Sequence, residues 1–164
     1  MIIYHGSTVP VEVPQIIKSE RTLDFGMGFY TTSNREQAID WARIVANRKK
    51  ATGQFISIYE FDFEKAQKEL TIIQFAEPNE EWLDFVCTNR SGKEMPNPYD
   101  MVSGPVANDR VYEVVQFYEN GVYDKSEAIR RLKVDKLYSQ IFFHTDKSLE
   151  YCRFTRCEEV GRLK

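Results

Sequence analysis

Two short segments of this chain contain residue types that could do chemistry. Tyr4-His5-Gly6-Ser7 sets an imidazole and a hydroxyl on either side of a glycine, and Phe25-Gly26-Met27-Gly28-Phe29-Tyr30 sets two glycines ahead of a tyrosine. A histidine can hydrogen-bond a polar ligand or transfer a proton, and a glycine lets the backbone approach a ligand closely. Together the two segments predict one binding or catalytic pocket to which both contribute.

Other reactive patterns have weaker support from the spacing of the residues. Gly26-Met27-Gly28 lacks a third glycine and precedes a strand-like run, which argues against a dinucleotide-binding or phosphate loop. His5 begins a His-x-Ser pattern but His144 does not, so a two-histidine phosphoesterase is not indicated. Two histidines and three scattered cysteines give no zinc-site spacing, so we expect no metal. A nucleophilic pair of Cys87 with a histidine stays open, although nothing flanking Cys87 supports it.

The composition predicts one globular domain spanning 1–164. A chain of 164 residues with 42% hydrophobic and 29% charged residues is suited to a single folded core. The net charge of -3 does not indicate nucleic acid as a partner and leaves open only a local basic patch. The basic cluster at 48–50 is typical of a solvated helix end, which the helix dipole favours.

Cysteine usage and the N-terminal sequence both indicate a cytoplasmic protein. Cys87, Cys152 and Cys157 are an odd set without C-x-x-C spacing, which is typical of reduced thiols. Residues 1–5 contain no charged segment ahead of a long apolar run, so we expect no signal peptide. No apolar stretch approaches the roughly 20 residues that span a bilayer, so we expect no membrane partner.

Hydrophobic periodicity predicts the elements that must position the two segments. Strands are predicted over 1–6, 28–32, 54–63, 70–75, 101–104, 137–144 and from Arg153 onward. Helices are predicted around 38–45, 79–90, 111–118 and 128–132, with about one and a half turns at 146–152. The segments 7–24 and 91–98 are predicted to be loops.

Two consequences follow from this pattern of elements. Strands and helices are interleaved without regular alternation, which predicts an α+β fold with mainly antiparallel strands. On the first helix, Ala38, Trp41, Ala42 and Val45 fall at i, i+3, i+4 and i+7, which predicts that they form its buried face.

The two N-terminal segments resemble motifs of the ADP-ribosyltransferase superfamily, in its poly(ADP-ribose) polymerase-like branch of the diphtheria-toxin type. The first motif of that branch is a strand ending in an aromatic residue and then His-Gly-Ser, and Tyr4-His5-Gly6-Ser7 is similar to it. In the family the histidine bonds the nicotinamide-side ribose, and the glycine backbone holds the carboxamide. The resemblance implies split antiparallel β-sheets flanked by helices.

The second motif of the branch is a Phe-Gly-x-Gly turn that enters a strand carrying a tyrosine. Residues 25–30 are similar to it without gaps, and Trp41 is similar in position to a second aromatic residue on the following helix. The resemblance implies that Tyr30 and Trp41 sandwich the nicotinamide ring, since flat cationic rings favour aromatic faces. It places Ser7 and Thr31 in the same cofactor-binding set as His5 and Gly6. The family's helix serine is Ala38 here.

The third motif of the branch is a strand that opens with a catalytic glutamate. Residues 139–144 are similar to it, but Gln140 stands where the glutamate would be. The implied triad is therefore His5, Tyr30 and Gln140. A glutamine can accept a hydrogen bond from a ribose hydroxyl but cannot supply a negative charge, which predicts slow transfer of single units. Alternatively, Asp109 or Glu113 supplies an acid from a neighbouring helix.

The chain also resembles a family of small uncharacterised bacterial proteins of this superfamily, whose hallmark stretch is similar to 99–110. The resemblance implies an NAD+-dependent mono-ADP-ribosyltransferase, with NAD+ as co-substrate and a macromolecular acceptor left open by the sequence. It further implies a bacterial toxin of a toxin–antitoxin or defence pair, with an antitoxin protein as partner. A non-catalytic NAD+ or ADP-ribose reader, or an interaction domain on the same fold, is the alternative.

Overall fold

A computed structural model describes residues 1–17, 25–93, 98–105, 109–133 and 139–161, with the backbone alone at 109 and 110. These residues form seven strands and six helices, which confirms the predicted α+β class. In chain order the elements are β1 (Ile2–Ser7), β2 (Phe29–Thr32), α1 (Arg35–Lys49), β3 (Phe55–Phe61), α2 (Phe63–Glu69), β4 (Ile72–Gln74), α3 (Glu80–Arg90), β5 (Met101–Pro105), α4 (Asp109–Glu119), α5 (Lys125–Leu132), β6 (Ser139–Phe143), α6 (Asp146–Leu149) and β7 (Cys152–Glu159).

The elements predicted from periodicity are present, and α2 is an addition to them. The strand predicted over 54–63 ends earlier because Asp62 caps α2, its carboxylate accepting a hydrogen bond from the Lys65 amide at 3.1 Å. Ala66 is the buried residue of this helix, so α2 has little apolar periodicity to predict it from. The predicted loops hold for 8–17 and 91–93, whereas 18–24 and 94–97 lie outside the described residues.

The strands form one seven-stranded sheet in the order β4-β5-β6-β2-β1-β3-β7. β4 and β5 are parallel, and the other neighbouring strands are antiparallel. The joint between β2 and β1 is narrow, since it has the single register pair Tyr4↔Thr32. β1 in contrast pairs with β3 over its whole length, from Ile2↔Glu60 to Ser7↔Phe55. The sheet therefore consists of two well-paired halves that are joined by one short pairing.

The sheet separates two cores, because successive side chains of a strand point to opposite faces. Phe142 of β6 belongs to the core beneath α3, α4 and α5, and its neighbour Phe143 belongs to the core that includes α2. A smaller cluster lies between α1 and β3. The largest fully buried aromatic side chains are Phe25, Phe29, Tyr59, Phe61, Trp82, Phe142 and Phe143.

The buried face of α1 differs from the predicted one. Its buried residues are Ala38, Ile39, Ala42 and Ala46, whereas Trp41 is 44% exposed. The reason is the close approach of α1 to β1: a side chain at Gly6 would overlap the Ala38 carbonyl oxygen and lie 2.9 Å from the Ala42 nitrogen. Only small side chains fit at this distance, so Ala38 and Ala42 face β1, and the bulky Trp41 lies on the flank of the helix.

Replacing Gly6 by alanine should destabilise the protein by about 1–3 kcal/mol, the usual range for an overpacked core. The added methyl group would collide with the main chain of α1, which cannot move aside as a flexible side chain can. Urea unfolding followed by circular dichroism measures the change. Gly161→Ala is the matched control, since nothing lies within 4 Å of its added carbon. Equal stability of the two variants would show that α1 does not rest on Gly6.

Candidate functional site

His5 lies at the narrow joint between β1 and β2. Its Nδ1 is 2.7 Å from the Tyr30 carbonyl oxygen, so Nδ1 carries the hydrogen and donates it to that oxygen. The imidazole stacks on the Phe29 ring, with centroids 4.4 Å apart and planes at 30°. The main-chain pairing of the two strands is at Tyr4↔Thr32, one residue before His5. The histidine side chain thus links the strands just past the pair.

The protonation state of His5 follows from its surroundings. Burial is the largest effect on this ring and lowers its pKa below the ordinary 6.5, while the hydrogen bond to Tyr30 partly opposes that change. The ring is therefore neutral at pH 7, and Nε2 has a lone pair. Within the described part of the chain Nε2 has no hydrogen-bond partner, and His5 as a residue is partly exposed. It is ready to accept a hydrogen bond from a ligand hydroxyl.

Tyr30 is held at both ends of its side chain. Its hydroxyl donates to the Gly26 carbonyl oxygen at 2.6 Å, and its ring packs on Phe142 with centroids 4.5 Å apart. Tyr30 and Phe142 are register partners and share a face of the sheet, opposite to the face on which His5 stacks on Phe29. His5 therefore contacts the main chain of Tyr30. The side chains of His5 and Tyr30 therefore lie on opposite faces of the sheet beside the short pairing of β1 with β2.

Gln140 lies on β6, directly opposite Thr32 in register, and so shares the face of Tyr30. Its side chain is half-buried and makes no hydrogen bond to another described residue. The Thr32 hydroxyl is instead engaged, at 2.7 Å from Gln37 Oε1 and 3.0 Å from the Ser139 carbonyl oxygen. The Gln140 amide is thus a polar group that can still bind a ligand next to the joint.

Trp41 projects from the flank of α1. Gln37 is one turn earlier on the same flank and reaches Thr32 of β2 by its hydrogen bond, so this flank of α1 faces β2. The Arg48 guanidinium lies 5.6 Å from the centre of the Trp41 ring, and the ring is otherwise largely exposed. Trp41 is thus an exposed aromatic residue on the flank of α1 that faces β2. The sandwich of a ligand ring between Tyr30 and Trp41 stays a prediction.

The remaining residues of the predicted site make contacts that support the fold. Gly6 is buried under α1. The Ser7 hydroxyl donates to the Val9 carbonyl oxygen at 2.6 Å, and the Thr31 hydroxyl donates to that of Ile141 at 2.8 Å. Thr31 is 3% exposed. Gly6 and Thr31 therefore have structural contacts at the joint, and neither presents a free side-chain group to a ligand.

In the part of the chain that the structure describes, no carboxylate forms a hydrogen bond with the Gln140 side chain. Glu113, one of the two proposed acids, is exposed on α4. The side chain of Asp109, the other, lies outside the described residues. The His5 imidazole and the Gln140 amide, the two polar side chains of the predicted triad that lack a further partner among the described residues, are therefore both neutral.

Tyr99 and His144 are site-supporting residues that the sequence prediction missed. Tyr99 donates its hydroxyl to the Phe25 carbonyl oxygen at 3.2 Å, and His144 donates Nδ1–H to that of Met27 at 3.0 Å. Both carbonyls belong to the turn that leads into β2. The sequence feature that could have indicated Tyr99 is the stretch 99–110, which resembles a hallmark sequence of a family but has no assigned role.

The described residues contain no group of three or more His, Cys, Asp or Glu that could hold a metal ion. Cys87, Cys152 and Cys157 are free thiols, and burial raises the pKa of Cys87 and Cys152 to about 12. A thiol with so high a pKa is a poor nucleophile at pH 7. None of the helices in the described ranges is long and apolar enough to cross a bilayer.

Two surface hollows of the described structure lie away from the joint. One, of about 500 Å³, lies between α3 and α4 and is lined by Cys87, Lys93 and Tyr118 among others. Another, of about 700 Å³, lies beyond the end of β1 and is lined by Thr8 and Gly53 among others. His5, Tyr30 and Gln140 line neither hollow. The candidate site therefore lies outside both hollows, at the short pairing of β1 with β2.

The His5 ring should titrate below pH 6.5 in the folded protein, because burial disfavours its charged form. NMR signals of the two histidine rings, assigned with His5→Gln, measure the midpoint. Since the folded pKa lies below the unfolded one, the unfolded state binds more protons, and stability should fall as pH drops below about 6.5. A His5 midpoint at or above 6.5 would contradict the neutral imidazole.

Comparison with known proteins adds a family and no activity. The chain matches no curated protein and no solved structure. A family model with the description "Protein of unknown function (DUF3990)" matches residues 1–154, which include His5, Tyr30, Gln140 and the turn that Tyr99 and His144 support. This match covers nearly the whole chain, so the protein belongs to the DUF3990 family.

Proposed function

We propose that this protein is an NAD+-dependent mono-ADP-ribosyltransferase whose site is the joint between β1 and β2. The observation that carries the proposal is the placement of His5, a neutral imidazole with Nδ1–H bonded to the Tyr30 carbonyl oxygen and Nε2 without a partner among the described residues. The proposed site lies where the single seven-stranded sheet has its shortest pairing, the register pair Tyr4↔Thr32 of β1 and β2.

The polar groups at the joint fit the nicotinamide riboside half of NAD+. Nε2 of His5 would accept a hydrogen bond from a ribose hydroxyl, and the Gln140 amide would bond the same sugar. The Tyr30 ring, which packs on Phe142, and the exposed Trp41 ring are aromatic surfaces of the kind that suit a flat cationic pyridinium. These four side chains come from β1, β2, β6 and α1, so the site depends on the whole sheet centre.

The reaction replaces one bond at C1′ of the ribose. The bond from C1′ to the pyridinium nitrogen breaks, and nicotinamide leaves as a neutral molecule with the bonding electron pair. The acceptor's nucleophilic atom forms the new bond to C1′ and releases its proton to water. Positive charge develops on the ribose in between, and groups around the sugar hydroxyls stabilise it. Gln140 supplies a dipole and no charge, so transfer is slow and stops after one unit.

A second candidate function is a non-catalytic NAD+ or ADP-ribose reader. The observation that favours it is the neutral character of the joint, where Gln140 forms no hydrogen bond with any described carboxylate. Such a site would bind the dinucleotide and leave its glycosidic bond intact. A reader and a transferase would both bind NAD+, but only the transferase would release nicotinamide from it.

Release of nicotinamide from NAD+ by the purified protein separates these functions. We expect slow turnover in the wild type and a loss on the order of 100-fold in His5→Ala, which removes the ribose contact. Gln140→Glu should raise turnover by roughly 100–1,000-fold, because it restores a charge beside the sugar. Chromatographic quantification of free nicotinamide measures these rates.

Gln116→Glu is the matched control for Gln140→Glu, since it makes the same change on an exposed part of α4. Turnover in this control should equal that of the wild type. Binding of NAD+ without turnover in any variant would support the reader and contradict the transferase. Absence of both would contradict the proposed site itself.

The proposed role as a bacterial toxin predicts slower growth of a bacterium that expresses the chain. His5→Ala should relieve the effect because it removes the ribose contact, whereas Gln116→Ala on exposed α4 should not. Growth curves measured at equal protein levels, checked by immunoblot, give the comparison. Equal growth with the wild type and His5→Ala would contradict a toxic transferase.

A further inference from the structure

Three consecutive carbonyl groups of the turn before β2 each accept a hydrogen bond from an aromatic side chain. The Phe25 oxygen accepts from Tyr99 at 3.2 Å, the Gly26 oxygen from Tyr30 at 2.6 Å, and the Met27 oxygen from Nδ1–H of His144 at 3.0 Å. A surface turn commonly leaves such groups to water. This turn is instead held in place by side chains from β2, from the start of β5 and from the end of β6.

The two donors from outside the turn are themselves fixed. The rings of Tyr99 and His144 stack with centroids 4.6 Å apart and planes at 24°. Tyr99 is 5% exposed and also packs edge-on against Phe85. Burial raises the pKa of Tyr99 to about 12, so its hydroxyl keeps the proton that it donates. The donors thus form a rigid unit on the core beneath α3.

Asp100 ties this unit to the sheet. Its carbonyl oxygen accepts from the His144 amide at 2.8 Å, and its carboxylate accepts from the Thr71 amide at 2.9 Å and the Thr145 hydroxyl at 2.8 Å. Thr71 comes just before β4 and Asp100 just before β5, while Thr145 comes just after β6. The adjacent Tyr99 and His144 are therefore set relative to three strand ends.

The turn has little freedom to adopt another conformation. Gly26 has φ +86°, which favours glycine, and a side chain there would lie 3.0 Å from Asn89 Oδ1. A side chain at Gly28 would overlap the Phe143 carbonyl oxygen and the Phe142 ring. With its carbonyls also held, the turn presents the Gly26 oxygen to Tyr30 in one place, and the Tyr30 hydroxyl bonds there.

We propose that Tyr99 and His144 are positioning residues that hold the Tyr30 ring at the ligand site, acting through the carbonyl groups of the turn. This inference rests on the proposed function, since it assigns the Tyr30 ring to the nicotinamide of NAD+. It gives the stretch beginning at Tyr99 a role that the hydrogen bonds define. Neither residue touches the ligand, and each sets the position of the carbonyl-bearing turn on which the Tyr30 hydroxyl is anchored.

Affinity for NAD+, measured by calorimetry on four proteins, tests the inference. These are the wild type, Tyr99→Phe, Tyr30→Phe and the double variant, in which each change removes one hydroxyl and keeps the ring. We expect each single variant to bind NAD+ roughly three- to tenfold more weakly, the equivalent of one neutral hydrogen bond. The double variant should bind about as weakly as Tyr30→Phe alone, because Tyr99 acts through the anchor of Tyr30.

Tyr59→Phe is the matched control. Tyr59 is also buried and donates its hydroxyl to a main-chain carbonyl, that of Val11, away from the turn. It should lose stability as Tyr99→Phe does and bind NAD+ like the wild type. His144→Phe is a second variant, because it keeps a ring against Tyr99 and loses the hydrogen bond to Met27. It should weaken NAD+ binding to a similar extent as Tyr99→Phe.

Amide hydrogen exchange over 25–30 tests the hold on the turn without a ligand. It should speed up in Tyr99→Phe and His144→Phe relative to Tyr59→Phe. Wild-type binding with unchanged affinity in Tyr99→Phe, or with losses that simply add in the double variant, would overturn the positioning role and leave the proposed function intact. If the wild type binds no NAD+, the proposed function fails. The exchange rates then decide alone whether Tyr99 and His144 fix the turn.

Discussion

The two halves of the sheet meet at the single register pair Tyr4↔Thr32, and the rest of the molecule is arranged around this narrow joint. One neutral hydrogen bond contributes only about 1 kcal/mol, so one pair cannot fix two halves of a sheet. Two further links supplement it. The His5 side chain bonds the Tyr30 carbonyl just past the pair, and α1 rests on β1 at Gly6 while its Gln37 reaches Thr32 of β2.

The same joint explains why polar groups without partners occur at the centre of the sheet. Buried polar groups are normally hydrogen-bonded within a protein, because an unpaired one costs free energy. Nε2 of His5 and the Gln140 side chain have no hydrogen-bond partner among the described residues, so a ligand can supply one. In the proposed function the ligand is NAD+, and the turn before β2 holds the Tyr30 ring that would stack on it. The order of β6, β2 and β1 in the sheet is therefore what brings the residues of the proposed site together.

Local patterns predicted the elements, and contacts between distant segments decided the rest. The periods of two and 3.6 residues located the strands and the longer helices, while α2 was missed because Ala66 alone marks its buried side. Trp41 shares an apolar face with Ala38 and Ala42 by periodicity, but it lies outside the buried face because Gly6 brings α1 too close to β1 for an indole, which periodicity cannot show. The segments of His5, Tyr30 and Gln140 were predicted to meet. The hydrogen bonds of Tyr99 and His144 to the turn were not, since they join residues 74 and 117 positions apart.

The most direct test of this account is to locate bound NAD+ on the isotopically labelled protein by NMR. Amide signals are recorded during a titration with NAD+ and mapped onto the fold. The account predicts that the largest changes occur at His5 to Ser7, at Tyr30 and its turn, and at Gln140. Changes confined to the hollow between α3 and α4, or no changes at millimolar NAD+, would contradict a site at the joint of β1 and β2.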